Sequence, residues 1–377
     1  MASINRATLP QNFLDSVSAG LRLVQPEPQY LFAKFAMAGQ LSLAAIDAGA
    51  TTVQQFVSMS AGGAKVPPDL DELARAADTY PGAVTAANFF SNNQGDTVKM
   101  RRVVFEGGGY TEDARKVTPD KTTSTTGQSL KAEEVPMVLA EFEGPYSSAN
   151  SVVQPYALRD FDARYRANRD ELASLTTLHL RRDYVKWLDT VVRDRYRATS
   201  NITYSDDVAN VASFTSGAGH ISTLEMIAKA RKSLSDREWP QFSGGRYLCL
   251  VPTKFNVDMI GDPDYRELSK FHAQGRNLLF GYIASYQDVD IYECTTLRTY
   301  VNADGAVPGD GQTVPSGVTV YEALLFGPQG VGVGTAQPPT AYWADDTDYG
   351  KVAKVIWRSV QAFQTLDNRA VQRILFQ

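Results

Sequence analysis

The sequence predicts an α+β fold, and three observations carry that expectation. Two alternating stretches, Thr97–Phe105 and Val135–Phe142, flank one long polar connection. A single helix-periodic run extends from Arg169 to Arg197. Apolar strand-like runs then dominate the C-terminal half, with helical segments set between them. Strands and helices gathered into separate runs are the pattern of an α+β chain.

The first 95 residues read as helical pieces joined by turns. Pro10 to Leu23 and Pro28 to Ala48 carry apolar residues at mixed three and four spacing. Pro67-Pro68-Asp69 starts a further short helix, Asp69 to Ala77. No part of this region shows a core of its own, so it is expected to lie as an arm on something else. In Thr97–Phe105, Val98, Met100 and Val104 fall on one face and Lys99 and Arg101 on the other, which is strand grammar. Val138, Ala140 and Phe142 repeat it. The connection between them contains Gly107, Gly108 and Gly109 and is rich in Thr, Ser and Lys. It far exceeds a hairpin turn of roughly 2–5 residues, so it is expected to be functional, disordered or ordered by a partner.

From Arg169 the period becomes helical. Leu172, Leu175, Leu178, Val185, Leu188, Val192 and Tyr196 are placed on one stripe. Arg181, Arg182, Lys186, Arg193, Arg195 and Arg197 decorate the helix, partly balanced by Asp183, Asp189 and Asp194. Such a face is either solvated and salt-bridged or turned toward a polyanion or another subunit. Ser222–Glu225 is a capping-box pattern that opens a helix ending near Ser235. Tyr247–Val251 reads as a buried strand, followed after Pro252 by a helix bearing Phe255, Met259 and Ile260. Asp288–Cys294, Val318–Phe326, Val352–Phe363 and Val371–Phe376 complete the apolar segments, with a turn-rich loop at 301–317.

The net charge of −5 argues against a dedicated nucleic-acid binder, which carries a strongly basic domain. Cys249 and Cys294 both sit in apolar strand-like runs and are expected to be buried thiols in a reducing compartment. No basic-then-apolar leader opens the chain, and no apolar run approaches the roughly 20 residues of a membrane span. Synthesis in the cytoplasm, with no membrane partner, is the expectation.

Candidate chemistry is sparse. His179, His220 and His272 have no Cys or His at metal-ligand spacing, so no metal is expected. Lys254, Asp258, Asp262, Asp264, Glu267 and His272 crowd one stretch and pose the question of a reaction centre. Asp262, Asp264 and Glu267 do not fit a calcium loop and read as turn and helix-capping carboxylates, as do Asp345, Asp346 and Asp348. GVGVGT at Gly330–Thr335 imitates part of a dinucleotide fingerprint. The following AQPPT cannot open the helix that would receive a pyrophosphate, so a strand with close backbone approach and then a turn at GTAQPPT is expected. No nucleophile elbow and no phosphate-binding P-loop occurs. The chain reads as non-enzymatic, with no cofactor.

Two stretches carry a resemblance. LCLVPTKFNVDMI (Leu248–Ile260) with LLFGYIASYQDVDIYECTTL (Leu279–Leu297), and the closing DYGKVAKVIWRSVQAFQTLDNRAVQRI with Trp357, resemble major capsid proteins of tailed phages with the Hong Kong 97-type fold. The resemblance spans most of the chain from Thr97 to Phe376. It implies an N-terminal arm at 1–95 lying across neighbouring subunits and an extended β-hairpin loop at 96–150. It further implies a peripheral domain at 151–205 with a long spine helix, an axial domain at 206–314, and return of the strands at 315–377 to the peripheral domain.

The implied function is a shell of hexamers and pentamers, an icosahedral viral head enclosing double-stranded DNA by non-specific contact. Portal and possibly scaffold or decoration proteins would be further partners, with assembly in the host cytoplasm and the virion as destination. On this reading the Lys254–His272 cluster is axial-domain surface. Gly107, Gly108 and Gly109 would form the hinge of the extended loop, and Arg181, Arg182 and Lys186 would face the DNA. Some members crosslink their subunits through Lys and Asn; no residues here match that chemistry, although Lys121 and Lys131 lie in the loop as conceivable participants. Three other readings remain: a nanocompartment shell of the same fold, a metal-dependent enzyme using the acidic clusters, and a decoration or tail protein. The extended loop and helix-rich axial stretch argue against a tail tube.

Overall fold

The structure, a computed structural model, describes residues 30–61, 66, 68–88, 97–103, 132–147, 152–153, 156–159, 169–205, 208–216, 224–262, 282–345 and 352–377. Three helices come first: α1 (Leu31–Asp47), α2 (Val53–Ser60) and α3 (Pro68–Thr79). Strands β1 (Val84–Asn88), β2 (Thr97–Val103), β3 (Ala132–Val138), β4 (Ala140–Gly144), β5 (Tyr146–Ser147), β6 (Val152–Val153) and β7 (Tyr156–Arg159) precede the long helix α4 (Arg169–Arg197). Then follow β8 (Ile202–Tyr204), α5 (Leu224–Asp236), β9 (Tyr247–Val251), α6 (Thr253–Gly261), β10 (Tyr282–Tyr286), β11 (Val289–Glu293) and β12 (Thr299–Val301). The chain closes with β13 (Thr319–Phe326), β14 (Val331–Asp345), β15 (Val352–Thr365) and β16 (Val371–Phe376).

Two sheets organise the molecule. One has the order β1-β14-β15-β4, with β7 also paired to β15. The other has the order β10-β11-β9-β13-β16-β8, with β12 on β13. The sheets share a continuous two-stranded ribbon. β13 pairs with β16 in one sheet and β14 with β15 in the other, so both strands of the ribbon pass from sheet to sheet. At the crossing, the Gly327 amide donates to the Ala370 carbonyl at 2.9 Å and the Leu366 amide to the Gly330 carbonyl at 2.9 Å. A Cβ on Gly327 would lie 2.6 Å from the Trp239 ring and 2.9 Å from the Pro240 carbonyl oxygen, so only glycine lets the ribbon bend this close to Trp239.

This corrects the expectation that all strands after 318 return to the domain of the long helix. β14 and β15 lie in the sheet covered by α4; β13 and β16 lie in the sheet built around β9. GTAQPPT is not a turn either. Residues 331–345 form one strand whose register slips on β15 near Thr335, Gln337 and Thr340. The two prolines sit within that irregularity, where a missing ladder donor is tolerated. The close approach read from the glycines does occur: a Cβ on Gly332 would stand 2.9 Å from Met100 Sδ and 2.9 Å from Leu366 Cδ2.

Helix α4 runs 29 residues, about 43 Å at 1.5 Å per residue, and lies along the β14–β15 sheet. Leu180, Tyr184, Val185, Leu188, Val192 and Tyr196 form its buried stripe. Leu178 is 56% exposed although it lies seven residues, about 20° of helix rotation, from the buried Val185, so the face is not covered this far toward the helix start. Between helix and sheet sits an aromatic stack. Trp187 lies 4.8 Å from Phe142 and 5.2 Å from Trp357, ring centre to ring centre, and Tyr184 lies 5.2 Å from Trp357. Trp357 Nε1–H donates to Asp183 Oδ2 at 2.7 Å.

The described part of the expected arm, residues 30–88, is built into the chain's own core, which corrects that expectation. Leu31, Phe32, Ala33, Phe35 and Ala36 of α1 are buried. Phe35 packs edge-on against Tyr80 at 6.1 Å and Phe326 at 6.4 Å, and Phe32 lies 5.8 Å from Tyr196. β1 adds a parallel strand to β14, from Val84 opposite Val331 to Asn88 opposite Thr335. Phe32 and Phe35 find Tyr196 and Phe326 roughly 160 to 290 positions away, which is why no local pattern revealed this. Residues 1–29, the hinge glycines Gly107, Gly108 and Gly109, and Lys121 and Lys131 lie outside the described residues. β2 and β3 pair antiparallel from Thr97–Val138 to Val103–Ala132, so the long connection leaves from the open end of a real ladder. Met100 and Met137 turn its inner face onto Ala362 and Leu366.

Trp357→Ala is expected to lower stability by about 3–5 kcal/mol through loss of the central aromatic side chain. Trp357→Phe should cost about 1–3 kcal/mol, since it leaves Asp183 without its donor. Denaturant unfolding of the unassembled chain measures both.

Candidate functional site

The described part of the Lys254–His272 cluster consists of side-chain pairings on the surface of α6. Lys254 and Asp258 pair one turn apart on α6. Thr253 and Asn256 of the same helix donate to the two carboxylate oxygens of Glu293 at the end of β11, at 2.8 and 3.2 Å. Phe255 and Met259 point the other way into the core, so the sequence folds α6 with its charged residues outward. Asp264, Glu267 and His272 lie outside the described residues, as do Asp346 and Asp348. Among the described residues no group of three His, Cys, Asp or Glu side chains could hold a metal ion. Cys249 and Cys294 are buried and not joined in a disulfide. Burial pushes the Cys249 thiol far up and the Cys294 thiol up to about 11, the latter with help from the nearby Asp189 charge.

The structure instead concentrates its buried charge where the ribbon, the end of α4 and the loop after β12 meet. Glu322 on β13 is fully buried and accepts from two arginines. Arg197 Nε donates to Glu322 Oε2 at 2.8 Å and Arg373 Nε to Glu322 Oε1 at 2.7 Å. The Tyr300 hydroxyl donates to Glu322 Oε2 at 3.0 Å, and both guanidinium groups reach the same phenol oxygen. Arg197 also holds Asp194 at 2.7 Å, and Arg373 donates to the Pro308 carbonyl. Burial raises the Tyr300 phenol to about 12, with Glu322 adding to the rise and the two arginines opposing it. Burial alone would lower the Arg197 pKa, but Glu322 and Tyr300 turn the net shift upward, so the charge is kept. The 301–317 loop folds onto this junction: Tyr204 donates its hydroxyl to Asp310, and Val211 N–H reaches the other oxygen at 3.3 Å.

A second buried constellation ties α3 to the sheet. Asp290 on β11 accepts from Tyr80 at 2.8 Å and from Arg246 at 2.8 Å, and Tyr80 and Tyr292 share a 2.9 Å hydroxyl contact. Burial raises the Tyr80 and Tyr292 phenols far above their ordinary range, so both stay neutral. At the centre of each stands a buried carboxylate, Glu322 and Asp290, tied to groups from other elements. A charged residue interrupting a buried apolar run, as Glu322 does in TVYEALLF and Arg373 in VQRILF, is the signal by which sequence could have found the first one.

Of the residues expected to meet DNA, Arg182 and Lys186 are exposed one turn apart on α4, opposite its buried stripe, and Arg181 is half-buried beside them. Asp183 stands between them. Burial raises its carboxyl, against the Trp357 hydrogen bond and the Lys186 charge. On the opposite side of the sheet, Arg358 is held by Glu143 at 3.0 Å and lies 5.5 Å from the centre of the Tyr342 ring.

No protein-family model and no curated protein matches this sequence. Solved structures do. The capsid protein of Ralstonia phage GP4 superposes with a TM-score of 0.56 at 12% identity, covering 80% of this chain and 89% of that one. A chain of the Cyanophage Pam1 capsid gives 0.55 at 13%, covering 80% and 91%. One from the Cyanophage P-SCSP1u capsid gives 0.52 at 12%, covering 77% and 85%. The protein thus has the α+β fold of phage capsid proteins over most of its length.

Glu322→Gln is expected to cost about 3–5 kcal/mol, because two buried arginines lose their counter-charge. Replacing Arg197, Glu322 and Arg373 together by apolar residues of similar size should recover most of that loss, as read by the denaturation midpoint of the unassembled chain.

Proposed function

We propose that this protein is the major capsid protein of a tailed phage, forming an icosahedral shell of hexamers and pentamers around double-stranded DNA. The observation that carries this is the shared fold across four-fifths of the chain and nearly nine-tenths of the Ralstonia phage GP4 capsid chain. The way the charge is spent supports it. The buried ions weld the subunit, and the exposed ones decorate surfaces. In this reading the β2–β3 ladder and the connection beyond its Val103–Ala132 end are the extended loop that reaches a neighbouring subunit. A heterologous contact repeated with rotation closes into rings, and many modest contacts made at once bind collectively.

In this reading Arg182 and Lys186, with Arg181, form the face of α4 that softens repulsion from packaged DNA. Gly107, Gly108 and Gly109 are the hinge of the extended loop. In the same reading the arm is confined to residues before Tyr30, since residues 31–38 are built into the core, and β13 and β16 are counted with the axial domain, since they share its sheet. A portal protein and a scaffold or decoration protein are its proposed partners, in a head built in the host cytoplasm.

Electron microscopy of the purified full chain, expressed alone and with the genes beside its own, tests this. Closed shells or hexamer and pentamer rings are expected. A monomer that forms neither under either condition would overturn the proposal. Shells filled with a soluble enzyme instead of DNA would favour a nanocompartment.

A further inference from the structure

Helix α1 begins without a cap of its own: the Tyr30 side chain makes no capping hydrogen bond. The cap comes from the long helix. Asp189 Oδ1 accepts from the Ala33 amide at 3.1 Å across 156 positions of sequence. The Asp189 side chain is 1% exposed, and its second oxygen, Oδ2, is buried with no hydrogen-bond partner. A third element closes the site. In the segment after β11, Cys294 Sγ lies 3.2 Å from Thr296 Oγ1, and Arg193 Nη1 donates to the Thr296 carbonyl at 2.6 Å. One carboxylate therefore joins the N-terminal helix to the long helix, with the segment after β11 packed beside it, and it has fewer donors than a buried charge requires.

We propose that Asp189 is a proton-dependent latch holding the start of α1 to the long helix, engaged more firmly at acid than at neutral pH. The charged groups around it are few. On α4, Arg193 is the cation, and Asp194 is bound to Arg193 and Arg197. On α1, Lys34 is taken up by Glu72 at 2.7 Å, leaving the Phe32 and Ala33 amides to face the carboxylate. From the third side come Cys294 and the Thr296 hydroxyl.

Burial pushes the Asp189 carboxyl up to about 6, against the Thr296 hydroxyl, the Ala33 amide, the Arg193 charge and the Phe32 amide. A carboxyl whose docked pKa exceeds its free value binds its proton more tightly when docked. Its contribution to docking is complete below the free value and is lost as pH rises through about 6. Neutralisation spares the burial of an under-solvated ion, while an oxygen remains to accept from Ala33. The latch is a property of the single chain and does not rest on the capsid reading. It acts where residues 1–29 enter the described fold, so it sets how firmly that entry is held.

Hydrogen–deuterium exchange of the full chain between pH 8 and pH 5, corrected for intrinsic rates, tests the latch. Protection of the α1 N-terminal peptide should rise by about tenfold between pH 8 and pH 5, setting in as pH falls through about 6, while β9 peptides do not change. Asp189→Asn should hold the acid level of protection at every pH. A flat wild-type profile, or an Asp189→Asn profile that keeps the wild-type pH dependence, would overturn the proposal. If Asp189→Asn does not fold, Thr296→Val provides the second reading. Removing a hydroxyl that favours the charged form should move the onset of the rise to higher pH, and an unmoved onset would count against the latch.

Discussion

Two arginines that share one glutamate, with none of the three open to water, constrain everything around them. Isolated buried charge is prohibitive, so the junction exists only if α4, β12, β13 and β16 arrive together and in register. Each contributes one indispensable group: Arg197, Tyr300, Glu322 and Arg373. The ribbon that supplies Glu322 and Arg373 continues into the other sheet, where its second half packs Trp357 and Phe363 against α4. Charge at one end of the ribbon and aromatic packing at the other therefore fix the two sheets relative to the same helix.

A building block repeated in a shell needs this kind of interior. If the internal junction yielded as readily as the contacts between copies, assembly would deform subunits instead of joining them. Here the inner welds are desolvated ions and close-packed aromatics, while most outward ion pairs, such as Lys99 with Glu134 or Lys232 with Asp236, are solvent-screened and contribute little. The hierarchy places rigidity inside the subunit. Residues 30–88 belong to the rigid part, anchored by Asp290 through Tyr80 and by the aromatic contacts of Phe32 and Phe35.

Much of this was legible where the pattern is local. The helix Arg169–Arg197 declares itself over eight turns, and Tyr247–Val251 reads as buried because every residue is apolar or aromatic. The β2 and β3 ladder follows from alternation that places Met100 and Met137 inward. Pairing was less legible, since nothing in Val318–Phe326 says which sheet receives it. Pro338 and Pro339 looked like the end of a strand because their meaning depends on a bulge opposite β15. The α1 helix looked like an arm because its partners, Tyr196, Phe326 and Asp189, are distant in sequence. Of the site, the exposed charges on α4 and α6 were visible as charge patterns. The buried ones were hidden in apolar strands, where a lone Glu or Arg gains meaning only beside its counter-charge.

The most direct measurement of the central claim is a cryo-electron microscopy reconstruction of the assembled protein that resolves every symmetry-independent copy. The account predicts that the Arg197–Glu322–Arg373 junction is the same in each copy. The two sheets should superpose as one body, with the differences confined to the long connection after β2 and the residues before Tyr30. Sheets rotated about the Gly327–Gly330 crossing from copy to copy, with Glu322 exchanging its arginines, would contradict it.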